Sequence, residues 1–131
     1  MSLLVEHLVT KILIVEDNEM NRDMLSRRLQ RRGYEIVTAE NGEIALEKVK
    51  SDHPDIILMD MRMPVMDGWT ATKKIKEDSE ISDIPIVGLS ANAMEGDRER
   101  ALKAGCDEYE TKPVNFENLL NLINKYQDRA A

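Results

Sequence analysis

The stretch Asp55-Ile-Ile-Leu-Met-Asp-Met-Arg-Met-Pro-Val-Met-Asp-Gly68 decides the fold. Its four apolar residues, 56–59, run without a polar break, which is typical of a strand buried on both faces of a parallel sheet. Asp60 ends this run, and Pro64 and the Asp67-Gly68 pair forbid a regular continuation. Asp60 is therefore predicted at the carboxyl end of a buried strand, the edge where open α/β sheets bind ligands. We take it as the reacting group.

Strand-like and helix-like segments alternate along the chain. The predicted strands cover 11–15, 34–39, 56–60, 86–89 and 106–109. The predicted helices cover 43–51, 69–76 and 95–104, and two more begin after Asn18 and Asn115 as N-caps. Because no hairpin dipeptide joins two strands, the pattern indicates parallel strands with right-handed crossovers. We predict a doubly wound α/β fold with five parallel strands in the flavodoxin-like order 2-1-3-4-5 and five helices.

Apolar spacing predicts the inward faces of the first and last helices. In the first helix the inward residues are predicted to be Met20, Met24, Leu25 and Leu29. In the last helix they fall at i, i+3, i+4 and i+7, namely Phe116, Leu119, Leu120 and Ile123.

The length of 131 residues suits a single domain. We expect this domain to span 11–128, with 1–10 as a cloning leader or linker and 129–131 as a tail. The net charge of −7 argues against binding to nucleic acid or to an anionic membrane. The single Cys106 excludes an internal disulfide and a cysteine-built metal site, and suits a cytoplasmic protein. No apolar run approaches the roughly 20 residues of a membrane span, and no secretory leader is apparent.

If strands one and three are neighbours, Glu16, Asp17 and Asp60 meet at one edge of the sheet. Each close pair of carboxylates costs about 4 kcal/mol at an effective dielectric near 20, so a retained proton or a divalent cation must offset the repulsion. Oxygen ligands without a cysteine or a suitably placed histidine favour Mg²⁺ over zinc. Asp17 and Asp60 are predicted as direct ligands, and Glu16 as a ligand through water or an orienting group.

Two further strand ends add a hydroxyl from Ser90 and an ammonium from Lys112. Together with a hard cation these groups suit a phosphoryl group on Asp60, because the metal and Lys112 neutralise its oxygens and Ser90 donates a hydrogen bond. Phosphorylation of Asp60 by nucleophilic attack is the chemistry that uses all of them.

These residues match a known family. The matching elements are Glu16-Asp17, Asp60 with its Met-Pro…Met-Asp-Gly loop, Ser90-Ala91, Lys112-Pro113, and Tyr109 three residues before the lysine. Each element alone is weakly specific, but five in order at strand ends make a strong signal. Across residues 11–128 the chain resembles the receiver domains of two-component response regulators, of the chemotaxis-receiver type.

The resemblance implies that Asp60 accepts a phosphoryl group from a phosphohistidine of a histidine kinase or a histidine phosphotransfer protein. It implies that Mg²⁺ is held by Asp17, Asp60 and the backbone carbonyl of Arg62. Ser90 and Tyr109 would form the switch pair, in which the hydroxyl moves toward the phosphoryl group and the ring turns inward.

The resemblance also implies a cis peptide bond between Lys112 and Pro113. Arg62 and Asn92 lie two residues after Asp60 and Ser90, at positions that resemble those that tune hydrolysis of the acyl phosphate. The arginines of the first helix are most simply a solvated face, and the resemblance offers a docking surface for the phosphodonor as the alternative. With no output domain after residue 128, we expect signalling through an unidentified protein target near the fourth helix, fifth strand and fifth helix. The chain could be a free regulator or part of a hybrid kinase.

Three other functions fit the sequence less well than a phosphoacceptor does. A Mg²⁺-dependent phosphatase with an aspartyl nucleophile needs a second acid two residues after the nucleophile, where this chain has Arg62. A flavin-binding protein needs a Ser/Thr/Gly phosphate loop after strand one, where Glu16 and Asp17 would repel phosphate. A pseudo-receiver that only binds partners would not need the intact set of Asp17, Asp60 and Lys112.

Overall fold

A computed structural model of the chain describes residues 9–91 and 95–130. Its strands are β1 (Lys11–Val15), β2 (Glu35–Ala39), β3 (Ile56–Asp60), β4 (Ile86–Ser90) and β5 (Glu108–Thr111). Its helices are α1 (Glu19–Gln30), α2 (Gly42–Asp52), α3 (Gly68–Glu77), α4 (Glu95–Ala104) and α5 (Phe116–Ala130). Residues 1–8, 92–94 and 131 lie outside the described part, and so do most of the predicted leader and the predicted tuning residue Asn92.

The five strands form one parallel sheet in the order β2-β1-β3-β4-β5, which confirms the predicted fold. The register pairs Val15 of β1 with Met59 of β3, Asp60 with Leu89 of β4, and Ser90 with Thr111 of β5. The carboxyl ends of four strands therefore finish at the same edge. That alignment is what can bring side chains from distant parts of the chain together.

Both faces of the central strands are covered because their side chains alternate between two cores. Leu13, Ile57 and Met59 face one core, which α2, α3 and α4 complete. Ile12, Ile14, Ile56 and Leu58 face the other, which α1 and α5 complete. β3 is buried along its whole length, including Asp60 at its end.

The predicted inward face of α1 is wrong at its first two positions. Met20 is 71% exposed and Met24 is 57% exposed, whereas Leu29 is fully buried and Leu25 is partly buried. The steps from Met20 to Leu25 and from Met24 to Leu29 are five residues long, and five residues turn about 140° around a helix. The two methionines therefore form a separate, solvent-facing stripe.

The fifth strand begins two residues later than the sequence predicted. Cys106 N–H donates to the carbonyl of Ala101 at the end of α4, at 3.0 Å. Asp107 N–H donates to the carbonyl of Ile86, and its carboxylate accepts the N–H of Ile86, both at 2.8 Å. These contacts fix 106 and 107 as a connection, so Lys112 follows directly after β5.

Asparagines start both helices for which they were predicted as N-caps. Asn18 Oδ1 accepts the N–H of Asn21 at 2.9 Å, and Asn115 Oδ1 accepts the N–H of Asn118 at 3.0 Å. Each bond satisfies one backbone donor that the first helical turn leaves open. Across the described ranges no helix combines the length and the apolar character that a membrane crossing needs.

Candidate functional site

Three carboxylates from two neighbouring strand ends lie together at the carboxyl edge of the sheet. Glu16 and Asp17 directly follow β1, and Asp60 is the last residue of β3. One oxygen from each lies within 4.8 Å of the others. Glu16 and Asp60 are each only 7% exposed, whereas Asp17 faces solvent. The structure thus brings together the three acids that the sequence singled out.

Glu16 is fixed by both its backbone and its side chain. Its N–H donates to the carbonyl of Ala39 at 3.0 Å, and its own carbonyl accepts Nη1 of Arg22 at 2.8 Å. Its Oε2 accepts the N–H of Asn18 at 3.1 Å. Since Asn18 also caps α1, the acid and the helix start form one rigid unit.

Lys112, the residue directly after β5, lies beside these acids. Its Nζ donates to Oε1 of Glu16 at 2.6 Å and lies 3.3 Å from Oδ2 of Asp60. Its backbone N–H donates to the carbonyl of Ser90 at 2.7 Å, which ties the lysine to the end of β4. The bond from Lys112 to Pro113 is cis, in agreement with the expectation from the resemblance.

Burial raises the pKa of Asp60 to about 7, and the Glu16 carboxylate adds to that rise against the opposing effect of Lys112. Burial also acts to raise the pKa of Glu16, but hydrogen bonds from Lys112 and from the N–H of Asn18 outweigh it and lower that pKa. Although Asp17 faces solvent, partial desolvation and the neighbouring Glu16 carboxylate raise its pKa. A single ammonium therefore does not balance the three acids, and a further cation at this edge would favour the ionised form of Asp60.

The two predicted switch residues lie on the neighbouring strands β4 and β5. Ser90 ends β4 and is almost completely buried, one position beyond the residue that pairs with Asp60. Tyr109 lies partly buried in the middle of β5, opposite Gly88. Their roles as a switch pair stay predictions, as do the ligand roles of the acids. Of the two residues that the resemblance predicts to tune hydrolysis, Asn92 lies outside the described residues.

Arg62, the other residue predicted to tune hydrolysis, makes contacts that the sequence did not indicate. Its Nη2 lies 3.0 Å from Oδ2 of Asp97 in α4, and its guanidinium lies 5.1 Å from the centroid of the Trp69 ring. Asp97 is 35 residues further along the chain. No local pattern connects residues so far apart, and therefore sequence reasoning missed this pair.

Gly68 allows α3 to start directly against the backbone of the candidate acceptor. The Asp67-Gly68 pair, read from sequence as a turn, is the N-cap and first residue of this helix. A Cβ at Gly68 would lie 2.1 Å from the carbonyl oxygen of Asp60 and 2.8 Å from Cα of Met61. Both contacts are with backbone, which a side-chain rotation cannot relieve.

Gly68→Ala is therefore expected to destabilise the fold by roughly 2 kcal/mol, because the helix start must move away from β3. Urea unfolding monitored by circular dichroism measures the change. Gly96→Ala in α4 is the matched control, since a Cβ there meets no atom within 4 Å and alanine is the better helix former. Equal losses of stability in the two variants would contradict this account of Gly68.

The comparisons with known proteins agree with this geometry. Residues 12–124 match the family described as the response regulator receiver domain. The chain is 37% identical over 115 residues to the polar-differentiation response regulator DivK of Brucella ovis, covering 88% of this chain and 94% of that protein.

Solved structures show the same similarity. The receiver domain of the sensor histidine kinase PA1611 from Pseudomonas aeruginosa PAO1, with a magnesium ion coordinated in its active site cleft, is 35% identical with a TM-score of 0.85. That match covers 92% of this chain and 98% of the other. A chain in the co-crystal structure of the Saccharomyces cerevisiae phosphotransfer protein Ypd1 with the receiver domain of Ssk1 is 31% identical, with a TM-score of 0.88 and coverages of 94% and 92%.

Proposed function

The chain belongs to the response regulator receiver domain family, and on that premise we propose that Asp60 is its phosphoacceptor in a two-component phosphorelay. The observation that carries the proposal is the position of the buried Asp60 carboxylate. It shares one cluster with Glu16 and Asp17, and it lies 3.3 Å from Nζ of Lys112. A phosphatase with an aspartyl nucleophile is not supported. It needs a second acid two residues after the nucleophile, and this chain has Arg62 at that position.

We propose Mg²⁺ as the cofactor of this site. The side chains clustered at the site offer hard carboxylate oxygens, and their negative charge exceeds what Lys112 balances. Asp17, Asp60 and the backbone carbonyl of Arg62 would hold the ion directly, and Glu16 would act through water. When bound, the ion supplies positive charge that offsets the phosphoryl oxygens. The magnesium ion described for the PA1611 receiver domain supports this assignment.

The phosphoryl transfer then follows from the groups on this chain. An ionised oxygen of Asp60 attacks the phosphorus of a phosphohistidine, a new O–P bond forms, and the N–P bond of the donor breaks. The donor nitrogen leaves with the electron pair. Lys112, held ready by its 2.6 Å bond to Glu16, turns its ammonium toward the transferred oxygens. The Ser90 hydroxyl donates a hydrogen bond to the same group. The Tyr109 ring then turns inward as the second member of the switch.

The phosphodonor is proposed to be a histidine kinase or a histidine phosphotransfer protein that docks beside α1. A cavity of about 470 Å³ opens between α1 and the segment after β5, and both Glu16 and Lys112 line it. The exposed Met24 and Arg28 lie on the same rim. The complex of Ypd1 with the Ssk1 receiver domain supports a donor of this type.

We propose that the output surface is formed by α4, β5 and α5. We also propose that the protein acts in the cytoplasm.

Incubation with acetyl phosphate and Mg²⁺, followed by intact-mass spectrometry, tests the function. The wild-type protein is expected to gain one phosphoryl group, and to gain none when EDTA removes the metal. Failure to gain mass under conditions where the protein is folded and binds Mg²⁺ would overturn the proposal.

Lys112→Met is expected to slow labelling by acetyl phosphate about tenfold or more, because the transferred oxygens lose their fixed cation. The rate is read from the labelled fraction in timed mass spectra. Lys50→Met on α2 is the matched control, since that lysine is exposed and pairs only loosely with Asp78, at 3.9 Å. Similar rates for all three proteins would contradict the role given to Lys112.

A further inference from the structure

The side chain of Arg62 connects the phosphorylation site to α4. Its Nη2 lies 3.1 Å from Oδ1 and 3.0 Å from Oδ2 of Asp97, so one nitrogen bridges the whole carboxylate. The Asp97 side chain is only 15% exposed, whereas that of Arg62 is 60% exposed. Asp97 is therefore the fixed member of the pair, and Arg62 is the member with room to move.

The Trp69 ring lies beneath the guanidinium groups of Arg62 and Arg100. The guanidinium of Arg100 lies 3.9 Å from the ring centroid, and that of Arg62 lies 5.1 Å from it. Among the residues that the structure describes, Nε1 of Trp69 is the buried side-chain polar atom without a hydrogen-bond partner. The ring is thus held by packing and by cations. Since Arg100 is the closer cation, the ring stays covered if Arg62 departs.

Two features make the departure of Arg62 favourable after phosphorylation. Arg62 is two residues from Asp60, so their Cα atoms are at most about 7.6 Å apart, within the length of an extended arginine side chain. A phosphoryl group carries more negative charge than one carboxylate and offers a bidentate partner for a guanidinium. Asp97 would not be left alone, because Arg100 lies three residues along the same helix face.

We propose that the Arg62–Asp97 ion pair is a latch between the phosphorylation site and α4. In the unphosphorylated protein Asp97 holds the Arg62 guanidinium at the helix. Phosphorylation draws the guanidinium to the phosphoryl oxygens, and α4 loses its link to the loop after β3. Asp97 is thus a positioning residue for Arg62. The inference rests on the proposed function, because the competing anion is the phosphoryl group on Asp60.

A double-mutant cycle with fluoroberyllate, a phosphoryl analogue, tests the latch in the presence of Mg²⁺. Asp97→Asn is expected to bind the analogue about three- to fivefold more tightly than the wild type, because the competitor for Arg62 is gone. Arg62→Ala should bind it more weakly. In the Arg62→Ala background the Asp97→Asn change should have no further effect, which a merely structural role of Asp97 does not predict. Asp23→Asn, which breaks the exposed Arg27–Asp23 pair on α1, is the charge-matched control and should bind like the wild type.

Amide hydrogen exchange of α4 gives a second readout. Fluoroberyllate is expected to speed exchange in α4 of the wild type, and to change little in Asp97→Asn, whose α4 exchanges faster already. Unchanged affinity in Asp97→Asn, or tightening that persists without Arg62, would overturn the latch alone. A wild-type protein that does not bind fluoroberyllate with Mg²⁺ would overturn the proposed function as well.

Discussion

Asp60→Asn is expected to take up no phosphoryl group from acetyl phosphate and Mg²⁺, under conditions that label the wild-type protein. The amide keeps the size and shape of the side chain at the end of β3, but its oxygen is not a nucleophile. The change also removes one of the negative charges that a bound metal ion would balance. Intact-mass spectrometry of both proteins measures the difference.

Asp83→Asn is the matched control for this experiment. Asp83 is exposed, precedes β4, and lies at the opposite end of the sheet from the site. It loses the same charge by the same chemical change, and its labelling should equal that of the wild type. Equal labelling of Asp60→Asn would move the acceptor to another residue.

The metal-free protein is expected to lose stability as the pH rises from 5 to 8.5. The folded-state pKa of Asp60 is about 7, above its ordinary value of 3.8, so the folded state binds this proton more tightly than the unfolded state does. The stability that the Asp60 proton contributes is fully present below about pH 3.8, and it disappears as the pH rises through about 7. At about 1.4 kcal/mol per pKa unit the loss is on the order of 2–4 kcal/mol.

Urea unfolding in EDTA at a series of pH values measures this loss. Asp60→Asn cannot ionise, so its profile should be flatter, and above pH 8 it should be more stable than the wild type. Because Asp60 interacts with Glu16 and Lys112, the difference between the two profiles reports the ionisation of Asp60 together with its effect on these two neighbours. Adding Mg²⁺ at pH 8 should restore stability to the wild type far more than to the variant. Parallel profiles would mean that Asp60 is not the acid that burial perturbs.

The sequence was sufficient for the fold and for the meeting of the acids because both depend on local patterns. Four apolar residues before Asp60 required a strand covered on both faces, and this defines β3. The alternation of strands and helices then required parallel neighbours, which align the ends of β1 and β3. Once those ends align, Glu16 and Asp17 cannot be far from Asp60.

The errors arose where a short pattern allowed two solutions. Met20 and Met24 are apolar at a near-helical spacing, but a five-residue step does not preserve the face of a helix. Cys106 and Asp107 were assigned to β5, yet tertiary hydrogen bonds hold Asp107 to Ile86 before the strand begins. Propensity over four residues contains no information about such a bond.

Other features had no sequence signal at all. The Arg62–Asp97 pair depends on the placement of α4 against the loop after β3, and neither residue lies in a pattern that names the other. The close approach of Gly68 to the backbone of Asp60 had no sequence signal either, because the Asp67-Gly68 pair predicts only a turn. These contacts follow from the packing of whole elements and become visible only in three dimensions.

Chemical trapping of the acyl phosphate tests the central claim most directly. The protein is incubated with acetyl phosphate and Mg²⁺, reduced with borohydride, digested and sequenced by mass spectrometry, so that a phosphorylated aspartate is read as homoserine. Homoserine is expected at position 60 and at no other acid of the cluster. Homoserine at Asp17, or at an acid outside the cluster, would contradict the account.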